Sequence, residues 1–358
     1  DDQWELAAGS FQSDPAKSVA FGRGLGLADD RCYGEFRTMA ASEAKRGDRI
    51  DAVAIVTPNS THYAIARAFL DAGIPVICDK PLTITSKHAD DLADVVRRTS
   101  LPFVLTHNYS GYPMARQARA MVEAGDLGKL RVVQVEYAQD WLATDLGENK
   151  QADWRGDPAR AGPGGALGDI ATHAFHLAEF VSRLKTESLA ADLSSFVPGR
   201  KLDDNANILL RFDGGARGTL WASQVATGKA NGLTLRLYGE KGGLEWSQES
   251  PETLTFTPLG EPPRTYRRGG PGLAPIAQHA ARLPAGHPEG YLEAFGNIYR
   301  NSYDAMALRA TGKDFEKINS VYPNVYDGVE GMLFITQCVK SSQENGAWVP
   351  FRHPKSRK

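Results

Sequence analysis

The spacing of hydrophobic and polar positions changes once along the chain, near residue 128. Before it, short apolar runs alternate with helical periodicity. Ile50-Asp51-Ala52-Val53-Ala54-Ile55-Val56 is nearly all apolar and rich in β-branched residues, the pattern of a parallel strand buried on both faces. Glu5 to Gly9, Pro75 to Cys78 and Pro102 to Thr106 read as further strands. Asp14-Pro15 predicts a helix start, with Asp as the cap and Pro at the first helical position. Ala64 to Ala72, closed by Gly73, and Lys87 to Thr99 predict two more helices. Strands alternating with helices of this size indicate βαβ units and a parallel sheet.

Beyond residue 128 the period becomes two. Leu130 to Gln139 predicts a long alternating strand, and Ala166 to Leu184 a helix. Strands then follow at 189–196, 206–212, 216–224, 233–238, 243–246 and 253–256. Turn signals such as Asp213-Gly214-Gly215 separate them, and short links mean antiparallel pairing. Gly260 to Gly286 reads as a long loop, with Arg264, Arg267 and Arg268 as a solvated cluster. Helices return at Tyr291–Leu308 and Val325–Ser342. The expected boundary puts a doubly wound domain at 1–125. An α+β domain on an open antiparallel sheet fills 126–358, its last helix packing back on the first.

Composition narrows the function classes. Lys and Arg total 41 against 43 Asp and Glu, a net charge of −2. That argues against nucleic acid or an acidic membrane surface as partner. No stretch approaches the roughly 18 apolar residues of a membrane span. Cys32, Cys78 and Cys338 are scattered, without a CxxC, so a cytoplasmic location is expected.

Open parallel sheets bind ligands at the carboxyl ends of their strands. Three such ends release Thr57-Pro58-Asn59-Ser60-Thr61-His62, Asp79-Lys80-Pro81 and His107-Asn108-Tyr109. The proline after Lys80 disfavours helical geometry there. Its ammonium at a sheet edge can share a proton with a hydroxyl or polarise a carbonyl. The plainer alternative is an ion pair with Asp79 or a helix carboxylate. The second constellation is a glycine-rich run from Gly162 to Gly168 leading into Asp169, His173 and His176. At i, i+4 and i+7, all three project from one helix face. A carboxylate and an imidazole one turn apart suit proton transfer near neutrality, though a packed helix histidine is the ordinary case. No HExxH motif and no nearby cysteine supports zinc, so no metal is expected. Gly22-Arg23-Gly24-Leu25-Gly26 follows a helix and lacks GxGxxG spacing; it reads as a helix end.

Thr57-Pro58-Asn59…His62, Asp79-Lys80-Pro81 and Gly168-Asp169…His173, in this order, resemble the glucose–fructose oxidoreductase/inositol dehydrogenase (Gfo/Idh/MocA) family over nearly the whole chain. The resemblance implies an α/β Rossmann-type parallel-sheet domain that binds NAD or NADP, followed by an α+β domain whose large open antiparallel sheet carries an oligomer interface. It implies hydride transfer between a sugar, polyol or cyclitol and NAD(P), in a homodimer or homotetramer. The family's Glu-Lys-Pro stands here as Asp79-Lys80-Pro81. Its lysine maps to Lys80 and its Asp-x-x-x-His pair to Asp169 and His173, the implied catalytic group. Cofactor contacts are expected from Ser10, Thr57, Pro58, Asn59, His62, Asp79, Lys80 and Asn108, with Trp154 and Arg155 on the nicotinamide side. Substrate contacts are expected from Tyr109, Gln139, Asp140, Trp141, Asp169, His173 and His176.

Two departures stand out. The family's opening strand and GxGxxG loop are not in the sequence, so a stretch on the order of thirty residues is expected upstream. The acidic residue that would hold a ribose 2′-hydroxyl is replaced by Gly9-Ser10-Phe11-Gln12-Ser13. That change tolerates NADP. Two other functions fit the same residues: an NAD-dependent glycosidase, and a non-catalytic sugar-binding regulatory protein.

Overall fold

A computed structural model describes residues 3–144, 147, 149, 154–312 and 321–352. The first half carries helices α1 (Pro15–Gly24), α2 (Phe36–Glu43), α3 (Asn59–Asp71), α4 (Ser86–Thr99) and α5 (Pro113–Glu123) around strands β1 (Val53–Ile55), β2 (Val76–Cys78) and β3 (Phe103–Leu105). The strands form one parallel sheet in the order β1-β2-β3. The helix starts are chemically specified. Asp14 accepts the amide of Lys17 at 3.0 Å, and Thr85 accepts that of His88 at 3.3 Å, each satisfying an orphan donor of the first turn. The run Glu5–Gly9 is not a strand. It makes one parallel bridge, Gly9 with Cys32, while Glu5, Leu6 and Ala7 stay exposed.

The second half contains β4 (Leu130–Ala138), the short α6 (Pro158–Ala161), and a wide π turn over Leu167–Ala171 that runs into α7 (Thr172–Ser182). Strands β5 (Thr186–Ser194), β6 (Asn205–Phe212), β7 (Arg217–Ser223), β8 (Gly232–Gly239), β9 (Gly242–Ser247), β10 (Thr253–Pro258) and β11 (Arg264–Arg267) follow. Then come α8 (Pro275–Ala280), α9 (Tyr291–Ala310), α10 (Val325–Gln343) and β12 (Val349–Pro350). The large open sheet has the order β11-β10-β9-β8-β4-β7-β6-β5-β12. Its pairs are antiparallel except β4 with β7, which run parallel. The stretch expected to be a loop at 260–286 thus holds a strand and a helix. Arg268 is buried, not solvated, and pairs with Glu252 at 2.7 Å and Glu289 at 2.9 Å. Its charge is compensated, as a buried guanidinium requires.

Helix α7 lies fully buried between this sheet and helices α5 and α10. Ala174, Leu177, Ala178 and Val181 fill the core with Val133, Leu220 and Leu235. Each large apolar side chain so buried contributes roughly 1.5–3 kcal/mol, so the helix that carries His173 is rigidly placed. Helix α10 also packs on α4, with Ser86 Oγ and Thr336 Oγ1 at 3.0 Å.

Candidate active site

The carboxyl ends of β1, β2 and β3 and the amino end of α7 converge on a cavity of about 540 Å³. His62, on the first turn of α3, is fully buried and ties the strand-end turns together. Its ring nitrogens lie 2.8 Å from the Thr57 carbonyl and 2.9 Å from that of Pro81. It therefore sits behind the cavity wall, which corrects its reading as a cofactor contact. The Thr106 hydroxyl donates to Asp79, and the Lys80–Pro81 peptide is cis.

Asp169 is the hub. Lys80 Nζ donates to its backbone carbonyl and, at 3.1 Å, to Oδ1. Arg155 Nε at 3.2 Å and Gln224 Nε2 at 2.9 Å donate to Oδ2. Burial pushes this carboxyl up, but the Lys80 and Arg155 charges outweigh it and hold the group well below the usual carboxylate range. Asp169 is thus a fixed anion, fully engaged by its donors. Arg155 also stacks its guanidinium over Trp154 at 4.3 Å and Trp141 at 5.7 Å.

His173 lines the same cavity. Burial, with the Lys80 charge beside it, pushes its pKa well below 6.5 despite the opposing pull of Asp169. At neutral pH the ring is neutral. Its Nδ1 faces His107 Nδ1 at 3.4 Å. The expectation that Asp169, His173 and His176 share one face does not hold. The π turn widens the helix around Asp169, and His107 inserts between the two downstream rings, stacking on His176 with centroids 4.4 Å apart. His176 consequently opens onto a separate cavity, lined also by Asp327, and is not placed to touch substrate in the first.

Of the other expected residues, the cavity brings together Thr57, Pro58, Asn59, Asp79, Lys80 and Asn108 on the strand-edge side. Tyr109, Gln139, Trp141, Trp154 and Arg155 line the remainder. Asp140 lies off it and accepts the amide of Gly228 at 2.8 Å. Ser10 lines a neighbouring cavity of about 820 Å³, which shares Val56 and Thr57 with the first. Sequence reasoning missed Tyr137, Tyr291 and Gln224. Tyr137 and Gln224 sit at the ends of strands running side by side, a signal visible only once the parallel β4–β7 pairing is known. Tyr291 enters from a distant helix, and nothing in its local sequence marks it. Tyr137 Oη donates to Asn231 Oδ1 at 2.7 Å and meets the Tyr109 hydroxyl. Gln139 Nε2 donates to the same Asn231 oxygen at 2.7 Å, and Trp141 Nε1 to Gln139 Oε1 at 3.0 Å. A continuous polar row thus runs along one wall.

A family model described as the oxidoreductase family with an NAD-binding Rossmann fold matches residues 2–119, and one for the GFO/IDH/MocA C-terminal domain matches residues 115–245. The oxidoreductase YfiI of Bacillus subtilis (strain 168) is 40% identical over 355 residues, 98% of this chain and 90% of that protein. The chain belongs to the Gfo/Idh/MocA family. It is an oxidoreductase whose cofactor is NAD or NADP. Among solved structures, an oxidoreductase from Sinorhizobium meliloti is 51% identical with a TM-score of 0.87, covering 97% of this chain and 92% of that one. An inositol dehydrogenase homolog from Azotobacter vinelandii, complexed with NADH and myo-inositol, is 36% identical with a TM-score of 0.90, covering 97% and 90%.

The residues fit a dinucleotide. The two cavities share Val56 and Thr57 at the carboxyl end of β1. Asn108 lines the first cavity, and its buried Nδ2 has no hydrogen-bond partner among the described residues. A donor left unpaired this way costs about 1–3 kcal/mol unless a ligand accepts from it. Among the described residues no group of three or more His, Cys, Asp or Glu side chains could hold a metal ion, and no helix is long and apolar enough to cross a membrane.

Proposed function

We propose that the protein moves hydride between NAD(P) and a carbon that bears a hydroxyl in a sugar, polyol or cyclitol. The observation that carries this reading is the meeting of Lys80, ionised Asp169 and neutral His173 on one cavity. The nicotinamide cofactor, when bound, supplies the hydride acceptor or donor. Thr57, Asn59, Asp79 and Asn108 are the groups of the strand edge that would hold it, with Trp154 and Arg155 opposite. Lys80, anchored by Asp169, presents a cation to the oxygen where negative charge develops. His173, neutral and with Nε2 unpaired among the described residues, takes the hydroxyl proton. Asp169 positions Lys80 and is not itself the base. Tyr109, Tyr137, Gln139 and Trp141 offer the alternating donors and acceptors that a polyhydroxylated substrate needs. The myo-inositol bound by the Azotobacter protein supports this class.

The test is a panel of inositols, pyranoses and linear polyols with NAD and with NADP, followed by nicotinamide absorbance. Net formation of reduced cofactor is expected. Glycoside cleavage without net reduction would replace this reading by the glycosidase, and binding without turnover by the regulatory protein.

The same reading extends to assembly as a homodimer or homotetramer. On the outer face of the large sheet, Leu209, Thr219, Gln134 and Arg236 stand in one row across four strands, and Arg211, Arg217, Val132 and Tyr238 in the next. Trp221 lies on this face, while its neighbours Leu220 and Ala222 point into the core. Exposed Leu209, Val132 and Tyr238 on a wide sheet favour a second copy as cover.

A further inference from the structure

His173 has a partner that the reaction above does not use. His107 follows β3 and is 2% exposed; its Nδ1 lies 3.4 Å from His173 Nδ1, with the rings at 85°. Between two neutral rings such a contact requires that one Nδ1 carry hydrogen and the other be bare. Both rings are neutral near pH 7, because burial pushes each well below its ordinary value. The pair therefore has two arrangements. In the first, His173 carries Nδ1–H and leaves a bare Nε2 for the cavity. In the second the hydrogens are reversed, and His173 has no lone pair to offer a substrate.

The surroundings select between them. On the His173 side the Lys80 ammonium acts against the Asp169 carboxylate and is the stronger influence on the ring, so a bare nitrogen is favoured there. On the other side His107 lines a second cavity of about 250 Å³ with Glu179, Asp327 and Glu330. The charges there pair with one another: Lys185 with Glu179 at 3.1 Å and Glu330 at 2.9 Å, and Arg183 and Arg119 with Glu123 at 3.1 and 3.0 Å. His176 stacks flat on His107, 5° from parallel, and fixes its plane. The Lys80 charge thus favours the first arrangement, the one in which His173 can take a proton.

The geometry points to His107 as a positioning residue for His173: it accepts the Nδ1–H of His173 and so holds the tautomer whose Nε2 takes the substrate's hydroxyl proton. This role rests on the dehydrogenase reading. In the oxidation direction the substrate O–H bond breaks and its proton forms the Nε2–H bond of His173. The C–H bond releases hydride to the nicotinamide, and the Nδ1–H···Nδ1 contact is unchanged.

The experiment is nitrogen NMR of histidine-labelled protein with NADH bound, together with steady-state kinetics, for wild type, His107→Leu and His107→Asn. Wild type is expected to show His173 with Nδ1–H and bare Nε2. His107→Leu should lose this preference and lower kcat roughly 10–100-fold, the scale of losing a group that orients a functional histidine, with KM nearly unchanged. Asn offers an acceptor oxygen where Nδ1 stood, so His107→Asn should restore the tautomer and most of kcat. An unchanged His173 tautomer in His107→Leu, or an Asn variant no better than Leu, would overturn the proposal. The tautomer is read without substrate, so a wrong substrate class leaves that result standing, and a wrong role for His107 leaves polyol turnover in the wild type.

Discussion

Replacing Lys80 with Met removes one charge and keeps the length of the stem. The fold should survive, because Asp169 still accepts from Arg155 and Gln224 at 3.2 and 2.9 Å, so no buried carboxylate is orphaned. Catalysis should not. An oxygen that develops a full negative charge about 3 Å from Nζ gains roughly 5.5 kcal/mol at an effective dielectric near 20. With about half that charge present at the transition state, the loss is roughly 2.7 kcal/mol, or about 10²-fold in kcat. The Asp169 carboxylate, 3.1 Å from Nζ in the wild type, then faces the developing charge without its nearest counter-ion. That repulsion extends the expected loss toward about 10⁴-fold, the upper range for acid–base groups.

The assay is steady-state oxidation of the best substrate, repeated with deuterium at the oxidised carbon, with the Kd for reduced cofactor measured separately. The isotope effect on kcat should grow as hydride transfer becomes the slow step. A kcat within threefold of wild type, with the cofactor still bound, would show that Lys80 only fills the ion pair with Asp169 and does no chemistry.

Other outcomes follow from the same geometry. His173→Ala should lower kcat by roughly 10²–10⁴-fold, and the double variant with Lys80→Ala by less than the product, because the two act on one oxygen; multiplicative losses would separate them. His62, His107, His173 and His176 are all buried with pKa values pushed down by burial, His176 to about 3. For these groups the unfolded chain takes up protons first, so their contribution to stability is full above about pH 6.5 and falls below it, while Asp327 and Asp203, pushed up by burial to about 7 and about 6, act the other way. His176 alone accounts for about 2 kcal/mol by pH 5, so His176→Phe should narrow the difference between melting temperatures at pH 7 and pH 5. Leu209→Glu on the outer sheet face should halve the mass seen by light scattering; a wild-type protein already monomeric at micromolar concentration contradicts the assembly.

Much of the parallel half was legible because its signals are local. Ile50–Val56 is apolar and β-branched, Asp14-Pro15 is a cap followed by a proline, and each marks its element without reference to the rest of the chain. The boundaries moved by a few residues where caps decide them: α3 begins at Asn59, directly after Pro58, five residues before the apolar periodicity becomes visible. Lys80 and Asp169 were likewise marked by proline and glycine punctuation. The parallel pairing of β4 with β7 was not legible, because short connections argue for antiparallel neighbours and say nothing about which strand enters the middle of the sheet. Gln224 and Tyr137 follow from that pairing and remained hidden with it. The run 5–9 has strand composition, but its only bridge among the described residues is that of Gly9 with Cys32.

The partner of His173 shows why one-dimensional spacing stops short of chemistry here. Residues four apart meet on a helix only if the helix is regular, and the turn that carries Asp169 is not. Asp203 accepts the amides of Gly165 and Leu167 at 2.8 and 2.7 Å, and a Cβ on Gly165 would stand 2.1 Å from its carbonyl oxygen. The glycine loop is therefore clamped onto the sheet before α7 begins, and the extra residue of the π turn absorbs the offset. Asp169 is turned toward Lys80 and Arg155, and His173 is left to His107. The two groups that sequence joins as a pair become, in space, the ends of two separate chains of partners. One sets a cation and the other sets a lone pair, and the substrate oxygen is where both are needed.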